Sequence, residues 1–149
     1  MQTTLIILKP DCVQRALCGE VLGRLEQKGL KIVGGKFMKV PVELAKKHYI
    51  EHDGKPFFQS LLDFITSSPV MVLAVQGPNA VTVCRKIIGS TNGQEAEPGS
   101  IRGDLGISKA TNLVHGSDSP ESAERELALW FTSDELVEWN RTIENWIDG

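Results

Sequence analysis

Long apolar runs are scarce in this chain. The longest, Val70 to Val75, falls far short of the roughly 20 residues that a membrane-crossing helix needs, so no membrane partner is expected. The opening residues Thr3-Thr4-Leu5-Ile6-Ile7-Leu8 read as a strand and have neither the basic start nor the longer apolar stretch of a secretory leader. A cytoplasmic location follows as the expectation. Cysteine is sparse as well: Cys12, Cys18 and Cys84 are odd in number and without C-x-x-C spacing, which argues against a disulfide framework or a zinc site. Nor is there an excess of positive charge. Sixteen basic against nineteen acidic residues leave a net charge of −3, and affinity for a polyanion begins with a basic surface, so no specific nucleic-acid partner is expected. Internal repeats, low-complexity tracts and interdomain linkers are all missing. The 149 residues, 41% hydrophobic, are therefore expected to form one domain over 1–149, burying roughly 68 to 70% of the extended-chain surface.

The familiar nucleotide-phosphate motifs are absent too. No G-x-x-x-x-G-K-[ST] loop and no G-x-G-x-x-G after a strand occurs, which removes P-loop and dinucleotide-binding sites. The catalytic-loop and D-F-G signatures of protein kinases are likewise missing.

What is present alternates between strand and helix patterns. Thr3 to Leu8 reads as a buried strand stopped by Pro10, with Lys9 at its exit. Leu17, Val21 and Leu25 place one apolar stripe on a helix that ends near Lys28-Gly29. Leu30 to Val40 reads as a strand whose two glycines suggest a bend or bulge. Pro41 to Ile50 and Phe57 to Thr66 read as a helical hairpin about the turn from His52 to Pro56. Val70 to Val75 is a second central strand, and Asn79 to Ile88 a helix with Asn79 as its cap and Gly89 as its stop. Ser90 to Asp104 holds four glycine or proline breakers and reads as a long loop, a length uncommon in compact domains unless functional. Leu113-Val114-His115 is a last short strand. Ser119-Pro120-Glu121 then starts a helix, with serine as cap, proline in the first turn and an acid beside the helix dipole; Ala123, Leu127 and Trp130 supply its core stripe. The alternation predicts an α/β (α+β) sandwich with helices over one or both faces of a small sheet.

The segment from Asn112 to Glu126 carries the clearest chemistry. It delivers His115 from an apolar run into a glycine turn and then starts a helix. A histidine has an ordinary pKa of about 6.5 and is substantially neutral and nucleophilic at neutral pH. Glu126 lies seven residues past Ser119, about two turns into the helix at roughly 3.6 residues per turn, where a carboxylate can orient an imidazole or simply face solvent. Phosphoryl transfer depends on position and on charge around the equatorial oxygens. Lys9, Arg85 and Arg102 offer that charge; each arginine also reads as an ordinary solvated surface charge, a reading that is weaker for Lys9 because it ends an apolar strand, where ligands of α/β folds commonly sit. Phe57 is a core aromatic by default, and Tyr49, Thr91, Asn112 and Ser117 are helix, loop or capping residues. His48 and His52 read as solvated surface histidines rather than metal ligands.

Four motifs in order, Leu8-Lys9-Pro10-Asp11, Lys55-Pro56-Phe57-Phe58, Pro98 to Asp104, and Asn112 through Glu126, resemble those of the nucleoside diphosphate kinases, over nearly the whole chain. The resemblance implies a ferredoxin-like βαββαβ sandwich with an added helical hairpin and a long loop. It implies ping-pong transfer of the γ-phosphoryl group of a nucleoside triphosphate to a nucleoside diphosphate, through a phosphohistidine at Nδ1 of His115. Glu126 and Ser117 would support that histidine. Lys9, Tyr49, Arg85, Thr91, Arg102 and Asn112 would line the nucleotide site, with Lys9 and Asn112 toward the sugar and Phe57 stacked on the base. Mg2+ would arrive on the nucleotide phosphates, with no metal ligand from the protein, and the chain would form a homo-oligomer, a hexamer rather than a tetramer. Three positions depart from the family pattern: Cys12 in place of glycine, Gly93 in place of proline, and Lys109 where an apolar residue often faces the base. Proline at position 93 is expected to stiffen and stabilise the loop. Two other readings stay open on the sequence, an idle binding or scaffolding protein on the same fold and a protein-histidine phosphocarrier.

Overall fold

The computed structural model describes residues 1–149. Four strands, β1 (Gln2–Leu8), β2 (Lys31–Met38), β3 (Val70–Gly77) and β4 (Val114–Gly116), form one antiparallel sheet in the order β2-β3-β1-β4. Seven helices accompany them: α1 (Pro10–Gln14), α2 (Cys18–Lys28), α3 (Val42–His48), α4 (Phe58–Ile65), α5 (Ala80–Ile88), α6 (Ile101–Leu105) and α7 (Pro120–Trp130). With α2 and α5 as the crossovers, the strand order is that of a βαββαβ ferredoxin-like sandwich. The pair α3 and α4 is the added hairpin between β2 and β3.

The period of two along β1 builds the layers. Ile6 and Leu8 join Val21, Leu25, Cys84 and Ile88 in a core beneath α2 and α5. Leu5 and Ile7 point the other way, into a core shared with Ala45, Leu62 and Trp130 of α3, α4 and α7. With both faces covered, β1 reads as a continuous apolar run. In β2 the pairing register skips Val33 between Ile32 and Gly34, the bulge that the paired glycines suggest. A Cβ at Gly34 would lie 3.2 Å from Phe131 Cε1 and 3.0 Å from Leu136 Cδ2, so the C-terminal chain crosses β2 closely there and a larger residue would make those side chains shift.

Several local expectations change. Pro10 stops β1 but also opens the single-turn helix α1, taking the first-turn position where its missing N–H costs nothing. Asn79 does not cap α5 through its side chain; its backbone adopts φ 49°, a conformation that asparagine tolerates. The long loop ends earlier than expected, because Ser100 Oγ accepts the Gly103 N–H and caps α6. Leu113 lies outside the last strand, which begins at Val114.

Candidate active site

The sheet register decides where the histidine points. His115 pairs with Ile7 across the β4–β1 ladder, and directly opposed residues share a face. His115 therefore emerges on the side of α3 and α7, while Val114 and Gly116 face α5. Gly116 packs closely on α5: a Cβ there would lie 2.6 Å from Ile88 Cδ1 and would push that side-chain end aside. That close approach also lets Arg85 Nη1 donate to Gly116 O at 3.2 Å.

On the opposite side α7 starts at Ser119, whose Oγ accepts the Ser122 N–H, and its buried stripe runs Ala123, Glu126, Trp130. A carboxylate on a core stripe is costly unless bonded, and Glu126 is bonded twice. Its Oε1 lies 2.7 Å from His115 Nε2 and accepts Ser117 Oγ–H at 2.8 Å. Burial alone would raise the Glu126 carboxyl, but these two bonds and the neighbouring imidazole outweigh it and hold the group below its ordinary range. With Glu126 ionised, His115 carries its proton on Nε2, and the Nδ1 lone pair is free.

His48 completes the cluster, against the expectation of a solvated surface residue: it is 4% exposed. Its ring stands edge-on to His115, centroids 4.7 Å apart, and to Tyr49 at 4.7 Å and Trp130 at 5.4 Å. The Trp130 Nε1–H donates to its Nδ1 at 3.1 Å. Burial and the adjacent His115 push its pKa down to about 3, so it is a neutral wall. His52 is half-buried, packed 5.3 Å from Phe57.

The cations converge on the other flank of His115. Lys9 Nζ donates to Asn112 Oδ1 at 2.9 Å, and Asn112 Nδ2 donates to Thr91 O at 3.3 Å. Burial, then the charge of Arg102, lowers Lys9 to about 8. Burial, then the charge of Arg85, lowers Arg102 to about 10. Such mutual repulsion among three cations marks a pocket suited to a polyanion. Arg102 is not the free surface charge it could have been: it donates through Nε to Asn112 O, through Nη1 to Gly89 O and through Nη2 to Val114 O. Of its five N–H groups, these bonds leave two for a ligand.

The remaining expected site residues differ in depth. Tyr49 is half-buried, and burial followed by the nearby Glu126 charge pushes its hydroxyl up to about 12. Ser117 is buried against Glu126. Thr91 is exposed on the long loop. Phe57 is 45% exposed, with Lys55 Nζ 5.7 Å from its ring centroid, an accessible aromatic rather than a core one.

One group of side chains has the composition of a metal site, with nitrogens of His48 and His115 and an oxygen of Glu126 within 4.8 Å of one another. It does not suit Mg2+, which prefers an octahedron of oxygens, and Glu126 Oε1 is already shared by His115 and Ser117.

The comparisons with known proteins agree with this geometry. The family model described as nucleoside diphosphate kinase matches residues 2–136. The chain is 58% identical to a nucleoside diphosphate kinase of Staphylococcus epidermidis and 56% identical to one of Staphylococcus aureus, each over 147 residues and 99% of both chains. The chain belongs to the nucleoside diphosphate kinase family. Two solved structures superpose closely: a nucleoside diphosphate kinase family protein from Babesia bovis, TM-score 0.96 at 47% identity, and a halophilic nucleoside diphosphate kinase from Halobacterium salinarum in complex with CDP, TM-score 0.97 at 49% identity, each covering 99% of both chains. As a nucleoside diphosphate kinase the protein transfers the phosphoryl group of a nucleoside triphosphate to a nucleoside diphosphate by the family's ping-pong phosphohistidine route.

Two residues packed into this cluster escape the sequence reading. His48 is the first, although Ala45 and His48 are spaced i, i+3 on one helical face, and the Trp130 indole required an acceptor once buried. Asp11 is the second: it enters the sequence reading only within the Leu8-Lys9-Pro10-Asp11 motif, with no role of its own.

Proposed function

We propose that Nδ1 of His115 is the atom that carries the phosphoryl group. The observation that bears this reading is the bond between His115 Nε2 and Glu126 Oε1, 2.7 Å long and reinforced by Ser117: it fixes the proton on Nε2 and leaves a lone pair on Nδ1. In the first half-reaction Nδ1 forms a bond to the γ-phosphorus as the bond to the β–γ bridging oxygen breaks, and the electron pair leaves on the β-phosphate of the departing diphosphate. The imidazole gains positive charge as it attacks, and the Glu126 carboxylate stabilises that charge. In the second half-reaction a terminal oxygen of another nucleoside diphosphate attacks the phosphorus, and the electron pair returns to Nδ1.

Lys9, Arg85 and Arg102 hold the phosphates, with Tyr49 and Thr91 beside them and Asn112 and Lys9 at the sugar. The half-exposed Phe57 stacks on the base, which favours broad base tolerance, since every base offers a π-face. The CDP in the Halobacterium salinarum relative supports a pyrimidine nucleotide as one occupant. The family points to a divalent cation in the reaction. Mg2+ fits as a rider on the nucleotide phosphates, where it would neutralise charge without a ligand from this cation-lined flank.

The same reading takes residues 1–149 as one domain that assembles as a homo-hexamer and works in the cytoplasm; no helix is long and apolar enough to cross a membrane. The test is incubation with γ-labelled ATP followed by a chase with GDP or CDP. Label should enter the protein and leave as the new triphosphate. Label that is retained, or never enters, contradicts the reading.

A further inference from the structure

The peptide before His115 is bent in an uncommon way. Leu113 has φ 73° and is fully buried, and the Val114 N–H turns back to Asn112 O at 2.8 Å. This is a γ-turn with positive φ, a strained conformation for a branched side chain. Such strain persists only where the surroundings over-determine it. Here every neighbouring peptide group is gripped: Arg102 holds the carbonyls of Asn112 and Val114, and the Lys9 N–H donates to Leu113 O at 2.8 Å. The remaining group, the buried Leu113 N–H, donates to Asp11 Oδ2 at 2.9 Å. Asp11 Oδ1 is buried and has no hydrogen-bond partner.

We propose that Asp11 is a positioning residue for the transfer reaction: its Oδ2 locks the buried γ-turn that aims His115. Asparagine keeps an acceptor at this position, whereas alanine leaves the buried Leu113 N–H unpaired and releases the turn.

The inference rests on His115 as the phosphoryl acceptor, so the experiment follows single-turnover labelling by ATP. ATP concentration is varied to separate maximal rate from half-saturation. Asp11→Ala should slow maximal labelling by about 10- to 100-fold, the cost of a misaimed reacting group, with half-saturation little changed. Asp11→Asn keeps an acceptor for the Leu113 N–H and should rescue most of that rate. Wild-type labelling by Asp11→Ala overturns the proposal. So does an Asp11→Asn variant slowed by more than about 10-fold, which decides the matter even if the alanine variant fails to fold. Label that persists in a protein lacking His115 would end the acceptor reading instead, independently of either Asp11 result.

Discussion

Trp130 donates its indole N–H to Nδ1 of His48 across 3.1 Å, one turn beyond the Glu126 that holds His115 on the same helix. Protonation of His48 at that nitrogen breaks the bond and buries a charge between aromatic rings. Burial, then the adjacent His115, lowers the pKa of His48 from 6.5 to about 3. The unfolded chain therefore binds the extra proton first, and stability contributed by neutral His48 is present above pH 6.5 and lost as pH falls toward 3. Between pH 7 and 5 the loss should be roughly 2 kcal/mol. Glu126, held low, keeps its own contribution over this span and begins to lose it only as pH falls through the ordinary carboxylate range. Urea unfolding at the two pH values measures this, and His48→Gln should flatten the difference. Equal stability of the wild type at pH 7 and 5 would contradict the account.

Glu126→Gln removes the charge but keeps the size. A charge-assisted bond of this kind contributes about 1.5 to 3 kcal/mol, so the transfer rate should fall on the order of 10- to 100-fold. Half-saturation by nucleotide should move much less, because Glu126 faces the imidazole and not the phosphates. Steady-state kinetics separates the two quantities. An equal loss in both would place Glu126 in binding.

The structure reverses the expectation for Gly93. A Cβ there would lie 2.2 Å from Gly106 O and 2.9 Å from Arg102 O, both backbone atoms with little freedom to move. Proline or alanine at 93 should destabilise the protein, by about 1 to 3 kcal/mol as for other overpacked sites. Thermal unfolding of Gly93→Ala and Gly93→Pro is the check; a raised midpoint in either would show that the loop relaxes freely.

Phe57 and Lys109 make a contrasting pair. Phe57→Ala should leave stability nearly unchanged, because the ring is 45% exposed, yet weaken nucleotide binding by roughly 1 to 3 kcal/mol through lost stacking. Lys109 is exposed, and Lys109→Val should leave the maximal rate near wild type. Kinetics with purine and pyrimidine diphosphates tests both, and a large fall in maximal rate for Lys109→Val would put its ammonium on the phosphates.

The strands and long helices were legible because burial on two faces writes itself as period: Thr3 to Leu8 and Val70 to Val75 read as core strands, and Leu17, Val21 and Leu25 as a helical stripe. The bulge in β2 was legible from its glycines. What escaped depends on contacts between distant segments. His48 looks like any histidine in a lysine-rich helix until Trp130, 82 residues away, approaches it. Asp11 looks like a turn residue until Leu113 presents its N–H. Arg102 shows its charge in the sequence, but not that three carbonyls occupy most of its donors. Positive φ at Leu113 has no local signature at all, since leucine adopts it only when neighbours impose it.

The most direct test is acid-labile, base-stable labelling of the protein by γ-labelled ATP, compared between wild type and His115→Ala. The imidazole is the proposed covalent carrier, and at the end of a three-residue strand its truncation should leave the fold intact. The wild type should label and release the group to GDP or CDP, while His115→Ala stays folded and unlabelled. Wild-type labelling of His115→Ala would contradict the account.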